Sequence, residues 1–180
     1  MPSIITVLAH GFEETEAVTI IDLLRRAGVT VTVLGLDSRE VTGAHDITVS
    51  ADKLFGDYAG PFDGIVLPGG MPGTKNLAAS APLLDLVRKT DRRGGLCAAL
   101  CAAPVVLAKA GVCAGRKATC YPGYEKELGG AAYVEKEVVR DRNVITSRGV
   151  GTAIPFALEL IAYLVDAESA EKVGRAIVYK

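Results

Sequence analysis

The amino-acid sequence predicts an α/β protein in which a mostly parallel sheet carries helices on both faces. Short runs rich in β-branched residues alternate with stretches of helical periodicity along most of the chain. The strand runs are apolar on both faces, as in sheets covered on both sides. With 180 residues, 49% hydrophobic and 23% charged, the chain suits one compact domain over residues 1–180.

Residues 4–8 open the chain as an apolar strand. Residues 14–27 follow as a helix, with Ala17, Ile20, Ile21, Leu24 and Ala27 on one face and Gly28 as the C-terminal stop. A second strand spans 30–36, a weaker one includes Val49, and a third covers 64–67. That third strand runs into a glycine turn, Pro68-Gly69-Gly70-Met71-Pro72-Gly73. Residues 82–93 read as a helix ended by Gly94, and 95–100 as a buried strand. A weak strand around Val138, a strand at 144–146 and a helix at 151–165 complete the pattern. There is no internal repeat, low-complexity tract or linker.

Charge and composition exclude several classes of function. The formal net charge is −1 and neither sign forms a long block, so no electrostatic footprint for nucleic acid or an anionic membrane exists. The N-terminus enters an apolar strand without a basic segment or cleavage-site pattern, and Glu159 interrupts the longest late apolar stretch. A cytoplasmic protein with a small-molecule or protein partner is expected. The four cysteines form no CxxC pair and lack matching histidines, which argues against structural zinc and thioredoxin-type chemistry; no metal and no cofactor are expected.

Ligands of such folds bind beyond the carboxyl ends of the strands. Cys101 lies at one of them, where the run Gly95-Leu96-Cys97-Ala98-Ala99-Leu100 stops and a second run begins with Ala102-Ala103-Pro104. This is the outline of a nucleophile elbow: a strained strand-to-helix turn tolerates only small neighbours, and Pro104 fits a first helical turn. A helix starting at or just after Cys101 would favour the thiolate. Cys97, four residues earlier, is expected on the same side about 13 Å away, too far for a disulfide.

Two further strand ends supply partners for the thiol. Glu13 and Glu14 are ordinary first-turn acids, but Glu16 immediately precedes the apolar stripe and can lean over the sheet edge. Desolvation there would raise its pKa and let it hold a proton beside the sulfur. At the glycine turn, Gly69 and Gly70 allow backbone amides to approach a ligand, and Gly70 with the Ala102 amide forms a candidate oxyanion hole. Tyr121, Asp22, His10 and Arg148 are candidate supporting residues. Only His10 and His45 exist as imidazoles, and none follows Cys101, so a cysteine protease or amidotransferase has no base there, and His10 at its strand end is the one imidazole that could reach the site. His45 is expected at the surface or an interface.

Together GFEETE at 11–16, IDLLRRAG at 21–28, VLPGGMPG at 66–73, AALCAAP at 98–104 and TSRGVGTA at 146–153 resemble the DJ-one/ThiJ/PfpI superfamily, in the branch nearest the Parkinson's-disease-linked protein deglycase. The resemblance implies a flavodoxin-like three-layer sandwich, a homodimer, Cys101 as reactive cysteine, Glu16 as its hydrogen-bonding carboxyl, and Gly70 and Ala102 at the oxyanion site. It implies cofactor-independent glyoxalase or deglycase chemistry on dicarbonyls such as methylglyoxal and glyoxal, or stress sensing through a cysteine sulfinate. Some positions depart from the pattern. Tyr121 stands where several relatives carry histidine, His45 where an arginine is common, and Ala103 where a glycine follows the elbow.

The leading functional expectation is an enzyme whose Cys101 thiolate adds to an α-oxoaldehyde, with Glu16 moving a proton between adjacent carbons. The alternative is a redox sensor or chaperone-like stress protein in which Cys101 stops at sulfinate.

Overall fold

The computed structural model describes residues 1–179. Strand β1 (Ser3–Leu8) is buried on both faces over its last five residues and runs through the middle of the sheet. Helix α1 (Glu14–Arg26) starts at Glu13, whose side chain accepts the Glu16 N–H at 2.6 Å, and buries Ala17, Ile20, Leu23 and Leu24. Acids in its first turn and Arg25 and Arg26 in its last complement the helix dipole. After β2 (Thr30–Gly35) the chain leaves the sheet as an antiparallel hairpin, β3 (Glu40–Thr42) and β4 (Thr48–Ser50), and returns as the short edge strand β5 (Lys53–Leu54). Strand β6 (Gly64–Leu67) leads into α2 (Gly73–Ala79) and α3 (Ala81–Arg92). Next come β7 (Leu96–Leu100), α4 (Pro104–Lys109) and a small parallel pair, β8 (Lys117–Ala118) with β9 (Ala132–Tyr133). A hairpin of β10 (Val138–Asp141) and β11 (Val144–Ser147) precedes α5 (Ala153–Leu164) and α6 (Ala167–Ala176).

The main sheet has the order β10-β11-β7-β6-β1-β2-β5, and every pairing in it is parallel except β10 with β11. Strand side chains alternate between two cores. Ile4 and Leu8 of β1 join Ala17 and Ile20 of α1 and Phe156 and Leu160 of α5; Ile5 and Val7 join Leu83 and Val87 of α3 and Val106 and Leu107 of α4. This is the α/β sandwich read from the strand pattern. No helix among the described residues is long and apolar enough to cross a membrane.

Differences from the sequence expectation are local. The helix after Cys101 begins only at Pro104, because residues 101–103 form the turn itself. Val49 belongs to the hairpin outside the main sheet. Helices α2 and α6 were not anticipated. The first is hidden by the preceding glycine turn, and the second, AESAEKVGRA, carries too few apolar residues to show a stripe. Its start is nonetheless marked by Asp166, which accepts the Ser169 N–H at 2.7 Å.

Phe156 is fully buried between α5 and the sheet. Phe156→Ala is expected to cost about 3–5 kcal/mol in urea unfolding; a loss below 1 kcal/mol would mean that this layer does not support the fold.

Candidate active site

Cys101 directly follows β7 with φ of 61°, in the left-handed region that a non-glycine residue enters at a cost of roughly 1–3 kcal/mol. The turn is held from both sides. Its N–H donates to the Ser147 carbonyl at 3.0 Å, and its carbonyl accepts the Tyr121 N–H at 2.8 Å. Buried Ala102 and Ala103 supply the small neighbours. The left-handed turn also redirects the thiol. Cys97 lies in the core beneath α3, its Sγ facing the Val87 carbonyl at 3.7 Å, whereas Cys101 packs against the core beneath α1 and α5. The two cysteines are therefore on opposite sides, contrary to the strand-alternation expectation.

The β6–α2 turn brings its glycines against this elbow. A Cβ on Gly69 would lie 2.6 Å from the Cys101 Cβ, and Gly70, at φ of +94°, would drive one into the Glu13 amide. Both positions require glycine. The Gly70 and Ala102 amides lie close enough to the Cys101 sulfur to favour its thiolate. The Gly69 amide does not join them. It donates to Glu16 Oε2 at 2.8 Å, so Gly69 orients the carboxyl instead of binding an oxyanion.

Glu16 is fully buried, and its Oε1 has no amide or hydroxyl donor. The Cys101 thiol lies beside this carboxyl, and each group changes the other's proton affinity. Burial raises the Glu16 pKa to about 7 against the opposing pull of the Gly69 amide and the thiol. Burial, reinforced by the Glu16 charge, pushes the Cys101 thiol up to about 12, with the Ala102 and Gly70 amides acting the other way. The resting form is a thiol beside a carboxyl that titrates near neutrality. The expected thiolate-favouring helix terminus is displaced to Pro104, and burial outweighs it.

The remaining candidates separate. Tyr121 bonds the elbow through its backbone. Asp22 forms an exposed pair with Arg26 at 2.8 Å further along α1. His10 is exposed and contributes its carbonyl to Asn76 Nδ2. Arg148 pairs with Glu135 at 3.2 Å. None of these last three is bonded to the thiol or to Glu16. Cys113 and Cys120 are fully buried, which leaves Cys101 as the one partly exposed cysteine.

Glu14 was missed as a structural residue. Its carboxylate accepts the His45 N–H at 2.6 Å and the Ile47 N–H at 3.4 Å and meets His45 Nδ1 at 2.9 Å, tying the β3–β4 turn to the start of α1. Burial works to raise its pKa, but these bonds prevail and hold it below the usual range. Gly43, packed against the Glu14 carboxyl, was the only local signal for this strap. Glu13, Glu14 and His45 offer metal-type ligand atoms within 4.8 Å of one another, yet these carboxylates already serve as cap and strap.

Glu16 gives stability a defined pH dependence. The folded state keeps this proton to about pH 7, whereas the ordinary carboxyl releases it near 4.5. Between those values the folded state binds more protons, so stability falls as pH rises, by on the order of 3 kcal/mol from this group. Glu16→Gln should remove that slope, so that the variant gains on the wild type between pH 4.5 and 8 in urea unfolding. A pH-independent difference would show that Glu16 ionises as if in water.

Comparisons with known proteins agree with this architecture. The model of the DJ-1/PfpI family matches residues 2–163. The chain is 42% identical over 180 residues to Protein dj-1beta of Drosophila melanogaster, covering 98% of this chain and 96% of that protein. The crystal structure of Drosophila melanogaster DJ-1beta superposes with a TM-score of 0.96, covering 99% of this chain and 98% of that one. A relative from Caenorhabditis elegans, Glutathione-independent glyoxalase DJR-1.2, is 36% identical over 155 residues, covering 84% of this chain and 82% of its own length. With this fold and a family match over most of its length, the chain belongs to the DJ-1/PfpI family.

Proposed function

We propose that this protein is a cofactor-independent glyoxalase-type enzyme that converts small α-oxoaldehydes into hydroxy acids. The observation that carries the proposal is the convergence of the Gly70 amide, the Ala102 amide and the Glu16 carboxyl on the Cys101 sulfur. The glyoxalase relative supports the same chemistry.

With methylglyoxal, the sulfur forms a bond to the aldehyde carbon while the thiol proton passes to the Glu16 carboxylate. The carbonyl oxygen becomes an alkoxide held by the two amides, and Glu16 returns the proton to give a hemithioacetal. The Glu16 carboxylate then takes the proton from the former aldehyde carbon, and the hemithioacetal hydroxyl proton passes to the neighbouring carbonyl oxygen to give an enediolate. This closes to the thioester carbonyl as Glu16 delivers its proton to the neighbouring carbon. The product is a thioester, which water hydrolyses to lactate and the free thiol. No electrons leave the substrate, so no redox cofactor is needed. A carboxyl with a pKa near 7 suits both proton transfers. Apparent deglycation follows by mass action, because early glycation adducts are reversible and draw on the free aldehyde that the enzyme removes.

One observation favours a second role. Cys101 is the accessible thiol, and Glu16 Oε1, which takes no amide or hydroxyl donor, can when protonated donate to an oxidised sulfur. That supports arrest at sulfinate and a redox-sensing role.

Lactate formation from methylglyoxal, measured without added metal or glutathione, separates the two. Multiple turnovers by wild type, with at least a 100-fold loss in Cys101→Ser, are expected. Activity as kcat/KM should rise with pH through about 7 as Glu16 ionises, and Glu16→Gln should lose that limb. No lactate from the wild type, with peroxide adding two oxygens to Cys101, would leave the sensor.

A further inference from the structure

The non-reacting end of the substrate must project from the elbow, and the residues around Cys101 restrict what it meets. Glu16, Gly69 and Gly70 close one approach to the sulfur. Tyr121 joins the elbow through its backbone, and its ring lies over the chain that follows β11. Its N–H donates to the Cys101 carbonyl at 2.8 Å, and the Cys101 N–H in turn donates to Ser147. Two residues after Ser147 the chain passes under the Tyr121 ring, where a Cβ on Gly149 would lie 3.4 Å from Cδ2 and 3.7 Å from Cε2. The ring is thus held against the rim of the elbow by the same strand end that anchors Cys101.

The ring is also oriented and left open. Tyr124 meets it edge-on, with centroids 6.4 Å apart and planes at 69°. Even so, Tyr121 remains 49% exposed, and Val150, next to Gly149, is 45% exposed. Tyr121 and Val150 thus present an open apolar edge next to the backbone that anchors Cys101.

We propose that Tyr121 sets the substrate class of this site, favouring α-oxoaldehydes that carry an aryl group over those that carry a methyl. The proposal rests on the glyoxalase assignment above. The aldehyde carbon bonds to the sulfur as before, and the aryl substituent on the adjacent carbonyl lies against the free face of the Tyr121 ring, with Val150 at its edge. A methyl group gains little from that face. An aryl ring gains an offset-stacked or edge contact, equivalent to about a 3- to 10-fold preference beyond simple area burial. The hydroxyl of Tyr121 has no part in this selection, so phenylalanine should serve as well.

The test is the ratio of kcat/KM for phenylglyoxal to that for methylglyoxal, from initial rates of wild type, Tyr121→Phe and Tyr121→Ala. The ratio should favour phenylglyoxal in the wild type, survive in Tyr121→Phe and fall about 3- to 10-fold in Tyr121→Ala. A ratio unmoved by Tyr121→Ala, or lost equally in Tyr121→Phe, overturns the proposal. A parallel measurement needs no turnover: equilibrium dialysis of mandelate and lactate, the hydroxy acids of the two aldehydes, against Cys101→Ser with and without Tyr121→Ala. Tighter binding of mandelate that depends on the Tyr121 ring supports the aryl face. Equal binding of the two acids overturns it. Failure of the wild type to consume either aldehyde overturns the glyoxalase assignment instead, and the dialysis result then decides the tyrosine face by itself.

Discussion

The left-handed turn at Cys101 is the constraint on which the rest of the site depends. A side chain in this backbone conformation is strained, and it persists because neighbouring chain segments over-determine it. The Ser147 carbonyl takes its amide, the Tyr121 amide takes its carbonyl, and Gly69 leaves room for its Cβ. Each anchor comes from a different strand end of the parallel sheet or from the loops beside them. The parallel arrangement therefore does more than form a core, because it places the carboxyl ends of β6, β7 and β11 next to one another. Turning the thiol away from the α3 side also removes it from the environment of Cys97, which stays a buried structural residue.

Electrostatics at the elbow follow from burial. A carboxyl and a thiol share a site with little water, and both resist losing a proton. The Gly69 amide keeps Glu16 oriented without saturating it, which leaves Oε1 free to exchange a proton with whatever occupies the sulfur. A general base with a pKa near the working pH is the arrangement that proton transfer between adjacent carbons needs. The proposed turnover and the proposed arrest at sulfinate both draw on this one sulfur and this one carboxyl.

The first turn of α1 carries three acids with three tasks. Glu13 caps the helix, Glu14 straps the β3–β4 turn through His45 and Ile47, and Glu16 faces the thiol. Capping and strapping fix the start of the helix, and the start of the helix fixes Glu16. The placement of Glu16 is thus supported by residues with structural tasks of their own.

Much of the architecture was legible in the sequence. The doubly buried strands, the amphipathic α1 and α3, and the small-residue elbow are local patterns, set by side-chain periodicity and by what a tight turn tolerates. They determined an α/β sandwich with Cys101 at a strand end and with Glu16 and the glycine turn as candidates to meet it. Helix α6 escaped because it carries too few apolar residues to show a stripe, and the start of α4 was misplaced because the elbow itself occupies three residues. Only the tertiary structure assigned the Gly69 amide to Glu16 across 53 residues, turned Cys101 away from Cys97, gave Glu14 to His45 and laid Tyr121 along Gly149. The physical reason is that hydrogen bonds and desolvation depend on which distant segments meet, and periodicity in one segment carries no record of its neighbours in space.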